Sequence, residues 1–272
     1  MSPPRLHLRN VSRRALLHRL GAGAFVLGGF LRPGRSYADK SVVAPEIDRE
    51  VFNPLAFVTL EPSGIVRVVA HRVEMGQGVR STLTTILADE MGADLERVRV
   101  EQAPADETRY GNQNTDGSRS IRHFYLPMRQ MGAAVRFMLT AAAASHWSVD
   151  PAEVTVGVHE LLHAPTGRRL SFGDVASTAA RLPVPAIAQI SLRSMKELRF
   201  VGRRIPGIDS PRIVTGTAQY GIDVHELGML TAVIARAPAY GALLQSVDSK
   251  AARRVPGVVH VKTIPEIGRA HV

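Results

Sequence analysis

Apolar residues between positions 55 and 180 recur at spacings that alternate between the strand and helix periods. Two strand-like runs, 56–61 and 65–71, flank Pro62-Ser63-Gly64, and this arrangement predicts a hairpin. Helical spacing predicts one helix over 79–91, closed by Gly92, and a longer one over 120–147 in which Pro127 marks a kink or the true start. The other elements predicted here are a strand at 98–102, a loop at 104–118, strands at 154–158 and 160–163, and a helix at 172–180.

A second unit is predicted from about residue 197 onward. Short β runs at 217–222, 229–235 and 258–263 accompany one helical stretch around 250–255. The predicted fold class is therefore α+β, with two units.

The first 38 residues are predicted to be an export signal rather than part of the fold. They hold seven arginines and no acidic residue, so the net charge of +10 belongs mainly to them, and 27 basic residues face 24 acidic ones in the rest of the chain. Ser12-Arg13-Arg14-Ala15-Leu16-Leu17 is a twin-arginine pattern, followed by an apolar stretch at 20–31 and by Ser36-Tyr37-Ala38 as a peptidase site. An amphipathic helix or a membrane anchor is the alternative. The pattern predicts the twin-arginine export machinery as a partner and a periplasmic location, and the balanced remainder disfavours nucleic-acid binding.

The chain contains no cysteine. Disulfides, cysteine zinc sites and cysteine-ligated iron–sulfur clusters are therefore excluded within it. Twin-arginine export carries proteins that are already folded, often around an inserted cofactor. The signal thus favours a bound redox cofactor, with any iron–sulfur centre on a partner.

Two glycine-containing loops are the candidate ligand sites, and each one opens onto a helix. Gly76-Gln77-Gly78 offers helix-start amides that suit an anionic phosphate, close backbone approach, and a planar Gln77 amide that suits a pterin-like ring. The second loop, with Gly117, Ser118, Arg119 and Ser120, adds hydroxyls and an arginine fork. The alternatives are a tight turn at the first loop and plain N-capping by Ser118 or Ser120 at the second. Two anion-receptive loops favour a dinucleotide ligand. The chain has no Gly-x-Gly-x-x-Gly pattern, so the sequence does not support a nicotinamide dinucleotide.

One motif points to a different class of enzyme. His159-Glu160-Leu161-Leu162-His163 matches the zinc-protease pattern, which requires a helix to bring both histidines onto one face. Here the segment follows the β-branched run 154–158, so it is predicted to be a strand, in which the histidines lie about 13 Å apart. A zinc metalloprotease using His159, Glu160 and His163 remains the alternative function, and a non-catalytic exported domain is a further one.

The residues of the two loops resemble the cofactor-binding region of the xanthine dehydrogenase/aldehyde oxidase family. The likeness lies in Glu74-Met75-Gly76-Gln77-Gly78, in Asp89-Glu90 and in Gly117-Ser118-Arg119-Ser120. Downstream, 202–203, 209–223, 236–238 and 255–258 resemble that family's a/b hammerhead domain. The order of the two parts, together with the twin-arginine signal, resembles the branch that holds isoquinoline 1-oxidoreductase beta subunits and related periplasmic aldehyde dehydrogenases.

The resemblance implies a partial molybdopterin-binding domain at 39–195 followed by an a/b hammerhead at 196–266. It implies molybdopterin cytosine dinucleotide as cofactor, a small-molecule substrate (an N-heterocycle or an aldehyde) oxidised with oxygen from water, and a small partner subunit carrying iron–sulfur (2Fe–2S) clusters. Gln77, between Gly76 and Gly78, would contact the pterin or the molybdenum oxo region. Gly117, Ser118, Arg119 and Ser120 would line the dinucleotide. The family's catalytic glutamate lies far downstream of the matching region, so no catalytic residue and no metal ligand are nominated here.

The last six residues, 267–272, resemble the translation of a sequencing adapter and are expected to be a non-native tail. The hammerhead is then cut short, and this polypeptide alone is expected to bind no cofactor and to show no activity.

Overall fold

A computed structural model describes residues 54–235 and 245–263, together with the backbone of residues 9–10. Its contacts divide the chain into two units, with the division after Ala218. The strands of the first unit are β1 Arg9–Asn10, β2 Val58–Leu60, β3 Val66–Ala70, β4 Val98–Gln102, β5 Val154–Val156, β6 Glu160–His163 and β7 Arg168–Ser171. Its helices are α1 Pro54–Phe57, α2 Val79–Met91, α3 Glu107–Tyr110, α4 Arg119–Trp147, α5 Phe172–Ala179 and α6 Ser210–Val214.

The larger sheet has the strand order β1-β4-β3-β2. The predicted hairpin is confirmed, because β2 and β3 are antiparallel with Val58 opposite Val68. β3 and β4 are parallel, and the connection between them contains α2, as a parallel pair requires a crossover. This crossover places the loop after β3 and the loop after β4 at the same edge of the sheet.

The two long helices, α2 and α4, pack against each other; α2 also contacts β3 and β4, and α4 contacts β5 and β6. The helix predicted at 79–91 is confirmed, with Gly92 as its C-cap. The longer helix begins at Arg119, and Pro127 lies inside it, so the alternative that Pro127 marks the true start is wrong. The side chains buried between these elements include Leu83, Leu87, Met128, Met131 and Leu139. Burying large apolar side chains of this kind is the main stabilising contribution to such a unit.

Two local predictions differ from the structure. The run predicted as a strand at 56–61 begins as the helical turn α1, and β2 starts only at Val58. Phe57 at the end of that turn is buried edge-on against His71 and Tyr110, a non-local contact that overrides the strand propensity. The loop predicted at 104–118 contains the short helix α3, which is capped by the side chain of Asp106.

A second, three-stranded antiparallel sheet has the order β5-β6-β7. It is followed by α5, which begins with a reciprocal capping box between Ser171 and Asp174. No helix in the described ranges is both long and apolar enough to cross a membrane.

Two adjacent carboxylates at the end of α2 hold the segment that follows α5. Asp89 accepts hydrogen bonds from the backbone amides of Arg199, Phe200 and Val201 at 2.9, 2.8 and 2.9 Å. Glu90, fully buried, accepts from the guanidinium groups of Arg129 and Arg136 at 2.8 Å each and from the backbone amide of Arg193 at 2.6 Å. Phe200 is buried as a result. These bonds tie residues 193–201 to α2, and the domain boundary predicted between residues 195 and 196 stays a prediction.

The second unit, described over 219–235 and 245–263, contains no strand in those ranges. The β runs predicted at 217–222, 229–235 and 258–263 are therefore wrong for this structure, and the helical stretch predicted at 250–255 is only the 3-10 turn Ala252–Arg254. Strands need a hydrogen-bonded partner and a buried face, whereas Ile222 is 88% exposed and Val233 95%. The assignment of residues 196–266 to a hammerhead domain stays a prediction.

Candidate functional site

The first glycine loop, residues 73–78, connects β3 to α2. Gly76 and Gly78 have φ angles of 102° and 82°, and an added Cβ at either one would meet no atom within 4 Å. The glycines are thus required for the left-handed backbone and not for packing. Three amides at this helix start already have an acceptor within the chain. The carboxylate of Glu74 accepts hydrogen bonds from Gly76, Gly78 and Arg80 at 2.9, 2.8 and 3.1 Å.

Gln77 lies exposed between these two glycines. Its amide is bonded to its own loop: Nε2 donates to the carbonyl of Val73 at 3.0 Å, and Oε1 accepts from the amide of Met75 at 2.6 Å. A glutamine amide has two N–H donors and two oxygen lone pairs. One N–H of Nε2 and one lone pair of Oε1 therefore remain for a ligand. The two bonds within the loop set the direction in which these groups point.

The second glycine loop ends at Ser118, where α4 begins. Gly117 and Ser118 both adopt positive φ angles, 51° and 54°, and Ser118 makes no side-chain capping bond to the helix. Plain N-capping by Ser118 therefore does not account for this residue. The guanidinium of Arg119 forms a two-oxygen ion pair with Asp116 at 2.7 and 2.8 Å. The hydrogen bond from Arg119 lowers the pKa of the Asp116 carboxyl.

The structure brings the two loops together. The amide of Val73 donates to Thr115 Oγ1 at 3.0 Å, and the Thr115 hydroxyl donates to the carbonyl of Val73 at 3.0 Å. Arg72, fully buried at the end of β3, donates through Nε to Ser120 Oγ at 3.1 Å and through Nη1 to Asn112 Oδ1 at 2.8 Å. The hydroxyl of Ser120 thus accepts a bond from Arg72, which gives it a structural role.

Sequence reasoning missed Arg72 and Asn112. The sequence does contain a signal that Arg72 is partly buried, because this arginine closely follows the strand-like run 65–70. A charged residue next to a buried strand end needs partners. No local pattern identifies the partner of such a residue.

A cleft of about 760 Å³ opens beside the joined loops. The first loop contributes Val73 and Glu74, the start of α2 contributes Arg80, and the segment after β4 contributes Gln113 and Asn114. The guanidinium of Arg80 is held in place by Asp209, at 2.7 and 2.9 Å from its two carboxylate oxygens. The cleft is open to solvent and has polar groups on several sides, as a binding site for an extended polar ligand requires.

His71 lies directly behind the loops and is fully buried. Its ring stacks edge-on against Phe57 and Phe124, at centroid distances of 5.2 and 4.3 Å. Within the described part of the chain, neither ring nitrogen has a hydrogen-bond partner. Burial, and secondly the charge of Arg72, lowers the pKa of His71 to about 3.

This lowered pKa makes the chain sensitive to acid. The folded state keeps His71 neutral, whereas the unfolded chain takes up a proton near pH 6.5, so stability is full above that pH and falls as the pH drops toward 3. Between pH 7 and pH 5 we expect a loss of about 2 kcal/mol from this residue. In His71→Leu we expect this contribution to the loss of stability to disappear. The free energy of unfolding, measured in urea at pH 7 and at pH 5, tests this. His225→Leu is the control. His225 is exposed, so we expect this variant to lose as much free energy of unfolding between pH 7 and pH 5 as the wild-type chain does. An unchanged pH dependence in His71→Leu would contradict the burial of a neutral imidazole.

The zinc-protease motif lies elsewhere in the fold and has a structural role. The prediction of a strand at 160–163 is confirmed. His159 precedes the strand in a left-handed conformation, and its ring bonds to the carbonyl of Gly64 at 2.7 Å and to the amide of Asp94 at 3.3 Å. The ring of His163 bonds to Thr166 at 2.7 Å and to Glu153 at 3.3 Å. All four ring nitrogens therefore have partners that hold β6 in place. No cluster of three or more metal-ligating side chains occurs among the described residues.

The family model for the molybdopterin cofactor-binding domain matches residues 36–212, a range that contains both glycine loops and the residues that line the cleft. The chain belongs to the molybdopterin cofactor-binding domain family. The resemblance of the two loops to the cofactor-binding region of the xanthine dehydrogenase/aldehyde oxidase family is thereby confirmed, and so is the α+β class.

Three relatives of this member of the molybdopterin cofactor-binding domain family illustrate the match. It is 33% identical to the beta subunit of isoquinoline 1-oxidoreductase of Brevundimonas diminuta, over 78% of this chain and 32% of the relative. It is 31% identical to the membrane-bound aldehyde dehydrogenase (pyrroloquinoline-quinone) of Gluconacetobacter polyoxogenes, over 94% of this chain and 33% of the relative. It is 26% identical to a nicotinate dehydrogenase subunit of Pseudomonas putida, over 93% of this chain and 21% of the relative. The chain thus spans a third or less of the length of these relatives.

Proposed function

We propose that this chain forms the N-terminal part of the large subunit of a molybdenum hydroxylase that oxidises an N-heterocycle or an aldehyde with oxygen from water. The observation that carries the proposal is the family match over 36–212 together with the hydrogen bonds that join the two matched loops. The names of two relatives, isoquinoline 1-oxidoreductase and aldehyde dehydrogenase, point to these two substrate classes.

The two loops are the proposed cofactor contacts, and the cofactor is proposed to be molybdopterin cytosine dinucleotide. Gln77 offers an exposed amide between Gly76 and Gly78 and is assigned to the pterin end. The loop of Gly117, Ser118, Arg119 and Ser120 is assigned to the dinucleotide, because it combines an exposed hydroxyl with a half-exposed guanidinium. When bound, the molybdenum group supplies the oxidation of a substrate carbon. The residues of this chain bind and orient the cofactor, and none of them is assigned a proton-transfer role.

The remaining parts of the proposal concern the setting of the domain. A small subunit with 2Fe–2S clusters is proposed to take up the electrons, since this chain has no cysteine to hold such a cluster. Residues 1–38 are proposed to direct export of the folded protein to the periplasm, 196–266 to belong to an a/b hammerhead, and 267–272 to be a non-native tail.

Metal analysis of the native subunit tests the function. The large subunit, purified with its partner from the periplasmic fraction of cells that carry the intact locus, is expected to contain stoichiometric molybdenum, to release cytidine monophosphate on acid hydrolysis, and to co-purify with iron. Glu160→Ala is the matched control and is expected to leave the molybdenum content unchanged, because the carboxylate of Glu160 forms an exposed ion pair with Arg169 at 2.7 Å, away from both glycine loops. Zinc in place of molybdenum, together with a peptidase activity that Glu160→Ala abolishes, supports the protease instead. A metal-free subunit supports a non-catalytic exported domain, and recovery from the cytoplasm rejects the proposed location.

A further inference from the structure

The carboxylate of Glu74 joins three backbone amides of the turn that carries Gln77. Oε1 accepts from both Gly76 and Gly78, and Oε2 accepts from Arg80 in the first turn of α2. Hydrogen bonds to a charged acceptor are roughly twice as strong as neutral ones. The positive φ angles of Gly76 and Gly78 allow amides so close in sequence to converge on one acceptor.

We propose that Glu74 is a positioning residue for Gln77 and the resident anion of this helix start. A bound cofactor then meets the loop through the Gln77 amide and not through the backbone amides. This assignment rests on the proposed function, and it differs from the sequence-based prediction that these amides bind a phosphate.

The charge arrangement supports a permanent role for Glu74. The start of α2 is the positive end of a helix dipole, and a carboxylate there is already favourably placed. A phosphate taking the same amides would break all three bonds. It would also leave the displaced carboxylate, which lines the same cleft, next to a like charge. These three amides are therefore not the proposed phosphate contacts.

The bonds of Gln77 complete the argument. Its amide is fixed by the carbonyl of Val73 and the amide of Met75, and both belong to the loop that Glu74 holds. Loss of the Glu74 carboxylate frees the turn, and the direction of the remaining Gln77 donor is lost with it. Glu74 thus acts on a ligand through Gln77.

Hydrogen exchange of the backbone amides, measured residue by residue on the full chain, tests whether Glu74 holds the turn. This test needs no cofactor. In Glu74→Ala we expect exchange at Gly76, Gly78 and Arg80 to accelerate by about tenfold or more. In Glu74→Gln the one remaining oxygen still accepts, so Gly76 and Gly78 stay largely protected while Arg80 accelerates. Glu96→Ala removes an equal charge at an exposed position and leaves all three amides unchanged.

Inorganic pyrophosphate is the probe for the resident-anion role. It is expected to slow exchange at these amides in Glu74→Ala, where they are exposed, and to leave them unaffected in the wild-type chain. Equal slowing in both proteins, or wild-type exchange rates in Glu74→Ala, would overturn the proposal.

Molybdenum content of the native subunit tests the link to the cofactor. We expect it to fall at least several-fold in Glu74→Ala, with the thermal midpoint close to that of Glu96→Ala, and to be partly retained in Glu74→Gln. Full molybdenum content in Glu74→Ala, despite unprotected amides, overturns the positioning role. A wild-type subunit without molybdenum rejects the proposed function, and the exchange data still decide whether Glu74 organises the turn.

Discussion

Replacement of Glu90 by alanine is expected to lower the free energy of unfolding by about 3–5 kcal/mol. The Glu90 side chain is completely buried and pairs with the guanidinium groups of Arg129 and Arg136, whose side chains are 10% and 15% exposed. Its removal leaves two nearly buried positive charges without this partner and releases the amide of Arg193. Urea unfolding at pH 7 measures the loss.

The exposed ion pair between Glu160 and Arg169 provides a control for Glu90. Its oxygen–nitrogen distance, 2.7 Å, is similar, but the two side chains are 37% and 60% exposed. Glu160→Ala is therefore expected to change the free energy of unfolding by less than about 1 kcal/mol. Equal effects of the two substitutions would show that Glu90 is solvated and that the segment after α5 is not held by it.

Gly132→Ala is the second substitution with a large expected effect, a loss of about 2–4 kcal/mol. Gly132 lies where α4 crosses α2, and an added Cβ would be placed against the carbonyl oxygen of Leu87 and 2.9 Å from Cβ of Glu90. In an exposed helix the same change would stabilise by about 1 kcal/mol through helix propensity. The clash outweighs that gain, because the atoms it meets belong mostly to the backbone of α2 and cannot move without shifting the helix.

The control for Gly132 lies in the same helix. Ser145 is exposed, and Ser145→Ala is expected to change stability by less than about 0.5 kcal/mol. Thermal unfolding of the two variants side by side separates close helix contact from helix propensity. A Gly132→Ala chain as stable as the wild type would mean that the two helices are not in contact at this position.

Local patterns were sufficient to predict the elements around the candidate site. Apolar spacing and Gly92 gave α2 with its observed bounds, and Pro62-Ser63-Gly64 gave the hairpin turn. Gly157 and the β-branched residues before it were sufficient to predict that 160–163 is a strand, so the two histidines of the motif do not lie on one helix face. These predictions depend only on neighbours within a few residues, which is the range over which backbone preference acts.

The second unit shows where local patterns failed. Its β runs have strand composition, yet the described residues form no strand. A run such as 229–235 needs a partner strand and a buried face, and composition specifies neither.

By itself the sequence determined the bounds of α2, β4 and β6, those of α4 and α5 to within one residue, and the family to which the chain belongs. Only the tertiary structure decided that the loops meet, through contacts such as that between Val73 and Thr115, which lie 42 residues apart. It also decided that the carboxylate of Glu74, and not a ligand, accepts the hydrogen bonds of the Gly76 and Gly78 amides. The physical reason is that a loop's glycines permit a conformation, whereas the partner that each buried donor or charge finds depends on the packing of distant segments.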